Sequence, residues 1–134
     1  MKRRKLFKKL KEHLDKKEFT ILTGARQTGK STLLKQLMAE VEAAGRQTVF
    51  LNLENKTVLA DLDEHPFNLL KYLPKGENRI IVFLDEVQYL TDPSNFLKLL
   101  YDEHVHQLKI VASGSSVFYI DDKFRDSLAG RKKL

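Results

Sequence analysis

The chain has 134 residues, 42% of them hydrophobic and 31% charged, and no cysteine. That length suits one domain with a buried core. The missing thiols exclude disulfide staples, thiolate zinc sites and cysteine nucleophiles and fit a reducing cytoplasm, the expected location. No apolar run approaches the ~18 residues of a membrane span, and none follows the basic N-terminus as a secretory signal requires. The net charge of +6 is uneven: residues 1–17 hold nine Lys/Arg against Glu12 and Asp15, giving +7, and the remainder sums to −1. Basicity therefore belongs to a segment and not to the whole surface.

In chain order, Leu6, Phe7, Leu10 and Leu14 fall near helical spacing and predict an amphipathic helix over residues 3–16. Residues 1–17 thus read as a basic helix and 18–134 as the core. Phe19-Thr20-Ile21-Leu22-Thr23 reads as a buried strand that stops at Gly24. A helix over 30–44 carries Leu33, Leu34, Leu37, Met38 and Val41 on one stripe and stops at Gly45. A strand over 48–53 follows, then two short helical pieces broken at Pro66 and a turn cluster over 74–78. Arg79-Ile80-Ile81-Val82-Phe83-Leu84 is the most apolar strand. Asp92 caps a helix that begins at Pro93 and carries Phe96, Leu97, Leu99, Leu100 and Tyr101. Residues 108–112 form a fourth strand, followed by a polar turn Ser113-Gly114-Ser115-Ser116 and a helical stretch with Val117, Phe118 and Ile120. This alternation predicts an α/β fold with a parallel sheet between helical layers.

Gly24-Ala25-Arg26-Gln27-Thr28-Gly29-Lys30-Ser31 sits between a strand and a helix, the context that a phosphate-binding loop requires. Its glycines let the backbone close around phosphate oxygens, and the loop and helix N–H groups point at the anion. In this pattern Lys30 reaches the β- and γ-phosphates, the Ser31 hydroxyl ligates Mg²⁺, and Thr32 adds an α-phosphate contact. Arg26, in the variable part, is expected to face solvent.

The strand over 79–84 delivers Asp85 and Glu86 to the edge of the sheet where ligands bind. Asp85 is assigned to Mg²⁺ opposite Ser31; Glu86 acts as general base or orients the attacking water. A second carboxylate favours hydrolysis over transfer to a small acceptor. Should the fourth strand lie between the two motif strands, Ser113 and Ser115 reach the γ-phosphate region as candidate sensors. Helix capping is an alternative role for these serines, compatible with the first.

Other features carry less. The basic helix could grip nucleic acid, but a solvated face above docked leucines is the preferred reading. His104 and His106 lack a third metal ligand. Arg125 reads as a surface salt bridge ahead of a residue reaching a phosphate in trans. Asn55-Lys56-Thr57-Val58 lacks the aspartate of a guanine reader, which favours ATP over GTP. No arginine-dense lid supports a small-molecule kinase. The intact Lys30, Ser31, Asp85 and Glu86 weigh against a non-hydrolysing switch.

The three motifs together resemble the AAA-type ATPases of a prokaryotic group within the AAA+ superfamily, related to the archaeal ATPases and the STAND NTPases. The resemblance rests on residues 22–34, on Phe83-Leu84-Asp85-Glu86-Val87-Gln88, on Ser113-Gly114-Ser115-Ser116, and on Gly130-Arg131. It implies a three-layer αβα fold with sheet order 5-1-4-3-2, ATP hydrolysis that drives conformational change, and a further C-terminal domain. It also implies Gln88 in the nucleotide or inter-motif network, Arg131 as a signature arginine that stabilises charge, and self-association through an arginine in trans. Because the fifth strand would begin near Arg131-Lys132-Lys133-Leu134, that strand is expected to be truncated or missing and the chain to be part of a longer protein.

Overall fold

In a computed structural model, residues 2–24, 29–76 and 78–115 are described. Four strands, β1 (Thr20–Gly24), β2 (Thr48–Asn52), β3 (Ile80–Asp85) and β4 (Leu108–Ser115), form one sheet in the order β1-β4-β3-β2, with every pairing parallel. This is the expected 1-4-3-2 portion of the sheet; the expected fifth strand, the stretch with Val117, Phe118 and Ile120, and Arg125 and Arg131 lie outside the described residues. The helices are α1 (Lys2–His13), α2 (Lys30–Ala43), α3 (Lys56–Glu64) and α4 (Pro93–His104). A 3₁₀ segment, Pro66–Tyr72, follows α3, so the second helical piece forms but with tighter winding.

Side chains leave a strand alternately to its two faces, and two cores result. Leu10, Leu34, Leu37, Ile81, Phe83 and Val111 pack α1 and α2 on one face; Leu62, Leu69, Val82, Leu84, Phe96, Leu97 and Ile110 pack α3, the 3₁₀ segment and α4 on the other. β3 and β4 are buried along their whole length, which is why their apolar runs are continuous and not alternating.

Local signals act where the sequence places them. Gly45 has φ 93, Arg46 N–H donates to Val41 O at 3.0 Å and Gly45 N–H to Glu42 O at 2.9 Å, the paired bonds that close a helix C-terminus on a left-handed glycine. Asp92 Oδ1 accepts from Asn95 N–H at 3.1 Å with Pro93 in the first turn of α4. Two expectations change. The helix predicted over 3–16 ends at His13, and Leu14 is buried in the turn beyond it. The carbonyls there are taken by tertiary donors: Lys109 donates to His13 O at 2.9 Å and to Glu18 O, and Arg79 donates to Lys16 O at 3.1 Å and Lys17 O at 2.6 Å. The polar turn predicted at 113–116 is instead strand as far as Ser115, because Leu22, Thr23 and Gly24 pair with Ser113, Gly114 and Ser115.

Lys109 is fully buried. Desolvation, then the Arg79 charge, hold its amine down at about 7 against 10.5 for the free side chain. His13, beside it, is lowered to about 4, chiefly by desolvation and then by the charge of Lys109. Between the two Lys109 values the unfolded chain binds the extra proton, so stability rises as pH rises through that window. The thermal midpoint is expected to climb from about pH 7 to about pH 9, and Lys109→Met, which keeps the bulk and removes the amine, to flatten the climb. A wild-type midpoint that falls across this range would contradict the assignment.

Candidate functional site

The parallel sheet brings the C-terminal ends of β1, β3 and β4 to one edge, with β4 between the strands that carry the two motifs. Gly24, the last residue of β1, begins the expected phosphate loop, and Gly29 returns the chain into α2 with φ 78 and ψ 24. That left-handed conformation is one a side chain rarely adopts, so glycine is required there. Leu33 N–H then donates to Gly29 O at 3.0 Å and the helix is under way. Ala25, Arg26, Gln27 and Thr28 lie outside the described residues. Lys30 is buried at the first position of α2, Ser31 is half-buried beside it, and Thr32 is exposed in the same turn.

Across the sheet edge, Asp85 is 2% exposed at the end of β3. Its two oxygens are taken from opposite sides: Ser31 Oγ donates to Oδ2, and Ser113 Oγ donates to Oδ1 at 2.5 Å. The register accounts for this, because Asp85, Ile81 and Phe83 share the sheet face that α2 covers, and Ser113 and Val111 share it on β4. Ser113 is fully buried, and its oxygen also accepts from Glu86 N–H at 3.3 Å. A serine inside a strand with its hydroxyl so committed does not cap a helix, which corrects the capping alternative for Ser113.

Glu86 follows with φ 64, the one positive φ outside glycine among the described residues. Such a conformation costs on the order of 1–3 kcal/mol and persists where the surroundings hold it. Gln88 lies in the 3₁₀ turn Val87–Tyr89 and donates to Glu86 Oε1 at 2.6 Å. Ser115 is buried at the tip of β4, and its Oγ has no hydrogen-bond partner among the described residues. Ser31, Asp85, Glu86 and Ser113 thus form one connected network, and Ser115 joins it through its backbone N–H, which donates to Gln88 Oε1 at 3.2 Å. His104 stands apart, bonded to Gln107 through Nδ1 at 2.5 Å and packed edge-on against Phe67.

The family model described as the AAA domain matches residues 16–134. The chain belongs to the AAA domain family. α1 lies before the matched residues. The AAA chain is also 32% identical over 126 residues to an uncharacterised protein of Methanocaldococcus jannaschii, covering 84% of this chain and 24% of that protein. It therefore spans about a quarter of the curated relative's length. Among solved structures it resembles AMPPCP-bound DnaA from Aquifex aeolicus, with TM-score 0.61 and 16% identity over 97% of this chain and 44% of that one. A DNA replication initiation factor gives TM-score 0.59 and 19% identity over 97% and 43%. Drosophila ORC bound to DNA gives 0.56 and 9% over 98% and 40%. These likenesses show the P-loop ATPase fold of the AAA domain. No helix among the described residues is long and apolar enough to cross a membrane.

Two groups escaped the reading of the sequence. Lys109 was absorbed into an apolar strand, and between Leu108 and Ile110 it follows the ordinary alternation of a strand with one wet face. The full commitment of Ser113 to Asp85 and to the Glu86 backbone had no local trace. Ser113→Ala removes both bonds and leaves buried groups without partners. It is expected to lower unfolding free energy by about 1–3 kcal/mol, read from the denaturant midpoint, and an unchanged midpoint would show that the network does not hold the two strand ends.

Proposed function

We propose that this AAA domain binds ATP with Mg²⁺ and hydrolyses it, and that hydrolysis drives a conformational change in a larger protein. The observation that carries the reading is the bond from Ser31 to Asp85, two residues 54 apart in sequence. A hydroxyl and a carboxylate meeting beside a phosphate loop form a pair of hard oxygen donors, which fits Mg²⁺. When bound, the ion supplies neutralisation of charge on the phosphate oxygens.

The chain's own groups have distinct tasks in this reading. Gly24, Ala25, Arg26, Gln27, Thr28 and Gly29 wrap the phosphates, Lys30 neutralises the β- and γ-phosphates, and Thr32 meets the α-phosphate. Ser31 and Asp85 hold the metal. Glu86 takes the proton of the attacking water, or orients that water. Ser113, spent on Asp85 and on the Glu86 backbone, serves to position them. Ser115 is the better sensor candidate, since its buried hydroxyl is uncommitted among the described residues. That DnaA of the same fold has been solved with AMPPCP supports a triphosphate ligand.

In this reading a basic N-terminal segment over 1–17, which carries α1, precedes an ATPase core over 18–134. Self-association through an arginine in trans and a further domain rest on the resemblance, the latter also on the greater length of the curated relative. Nucleic acid is not assigned to α1, whose Leu10 is buried against the core and whose Lys11 pairs with Glu40.

Lys30→Ala should weaken ATP binding about 10- to 100-fold, the worth of a hydrogen bond to a charged group. Glu86→Gln should keep ATP affinity within about threefold and lose about 100- to 10,000-fold in phosphate release. Equilibrium binding and single-turnover phosphate release measure the two separately; wild-type turnover by Glu86→Gln would remove Glu86 from its role.

A further inference from the structure

Gln88 is the polar side chain of the network to which the chemistry above gives no task. Its carboxamide makes two bonds of opposite sense: Nε2–H donates to Glu86 Oε1 at 2.6 Å, and Oε1 accepts from the Ser115 backbone N–H at 3.2 Å. A carboxamide presents a donor and an acceptor side by side, so one group can serve both neighbours at once. Ser115 is no neutral anchor. It ends β4 in register with Gly24, the first residue of the phosphate loop, and its own buried hydroxyl is unpartnered among the described residues. The carboxamide therefore ties the Glu86 carboxylate to the strand tip that lies against the loop.

Glu86 needs such a tie. Its side chain has three rotatable bonds, and its backbone sits at φ 64, where a residue with a Cβ must be held by its surroundings. β4 supplies both restraints. Ser113 Oγ fixes the backbone N–H of Glu86 directly, and the Ser115 backbone fixes the carboxylate through Gln88.

We propose that Gln88 is the positioning residue of Glu86: it aims the carboxylate and couples that aim to the tip of β4, so that a phosphate-dependent shift of Ser115 re-aims the base. This rests on the hydrolytic reading of the site. Gln88 touches no reacting atom; it acts through Glu86.

Two variants of the natural full-length chain separate the bonds. Gln88→Glu keeps an acceptor for the Ser115 N–H and replaces the donor facing Glu86 with a second carboxylate. Gln88→Met keeps length and bulk and removes both bonds. ATP affinity, kcat for phosphate release and the thermal midpoint are measured for each. Both variants should lose about 10- to 100-fold in kcat, the usual effect of a misplaced catalytic group, with ATP affinity within about threefold; the midpoint should stay near wild type in Gln88→Glu, which keeps the Ser115 bond, and fall in Gln88→Met, which does not. A purely structural side chain would instead lose affinity and midpoint together with kcat. Wild-type kcat in Gln88→Glu, or a kcat loss that only parallels lost affinity or stability, overturns the positioning role and leaves the ATPase reading standing. A wild-type protein that binds ATP and releases no phosphate overturns the hydrolytic reading, and this inference with it.

Discussion

A carboxylate closed off from water between two hydroxyls is the interaction on which the rest of the site depends. Asp85 is almost wholly buried, and an ion there is tolerable only when its lone pairs are occupied. Ser31 and Ser113 each donate to one of its two oxygens, one from the first turn of α2 and one from inside β4. Each such bond to a charged group is worth about 1.5–3 kcal/mol, so the pair offsets much of the burial cost. Both donors arrive only if β4 runs between β1 and β3 in the observed register. A slip of one residue would turn Ser113 to the opposite face of the sheet and leave Asp85 half satisfied. Sheet order and site are thus two aspects of one constraint.

That constraint explains what could be read from the residues and what could not. The passage from β1 through Gly29 into α2 was legible because the apolar strand, the glycine and the helical stripe that follows are contiguous in sequence. Asp85 was legible as the polar end of an apolar strand. Ser113-Gly114-Ser115 was misread as a turn because serine and glycine favour turns locally. Pairing with Leu22, Thr23 and Gly24, some ninety residues earlier, overrides that preference. Lys109 was hidden for the same kind of reason. Its partners are carbonyls of the segment that joins α1 to β1, 91 and 96 residues away, and no window of sequence displays them.

The joining segment also changes the meaning of α1. Twelve residues make a marginal helix in isolation, and its first turn has no acidic residue to complement the helix dipole. Its apolar face supplies the compensation: Leu10 and Leu14 are buried against the core, and Lys109 and Arg79 grip the backbone that follows. The basic segment is therefore attached to the sheet by packing and by four bonds to carbonyls within residues 13–18. It is not a tail appended to the domain.

Along β4, Lys109, Val111, Ser113 and Ser115 occur at every second position and so share a face. The lower end of that face secures the entry to β1, and the upper end secures Asp85 directly and Glu86 both directly and through Gln88. β1 runs from the first attachment to the second, since it begins just after Glu18 and ends at Gly24, opposite Ser115. The strand that delivers the phosphate loop is thereby held by β4 at both of its ends. At the upper end, Gly24 lies in register with Ser115, whose backbone N–H meets the carboxamide of Gln88 and through it Glu86.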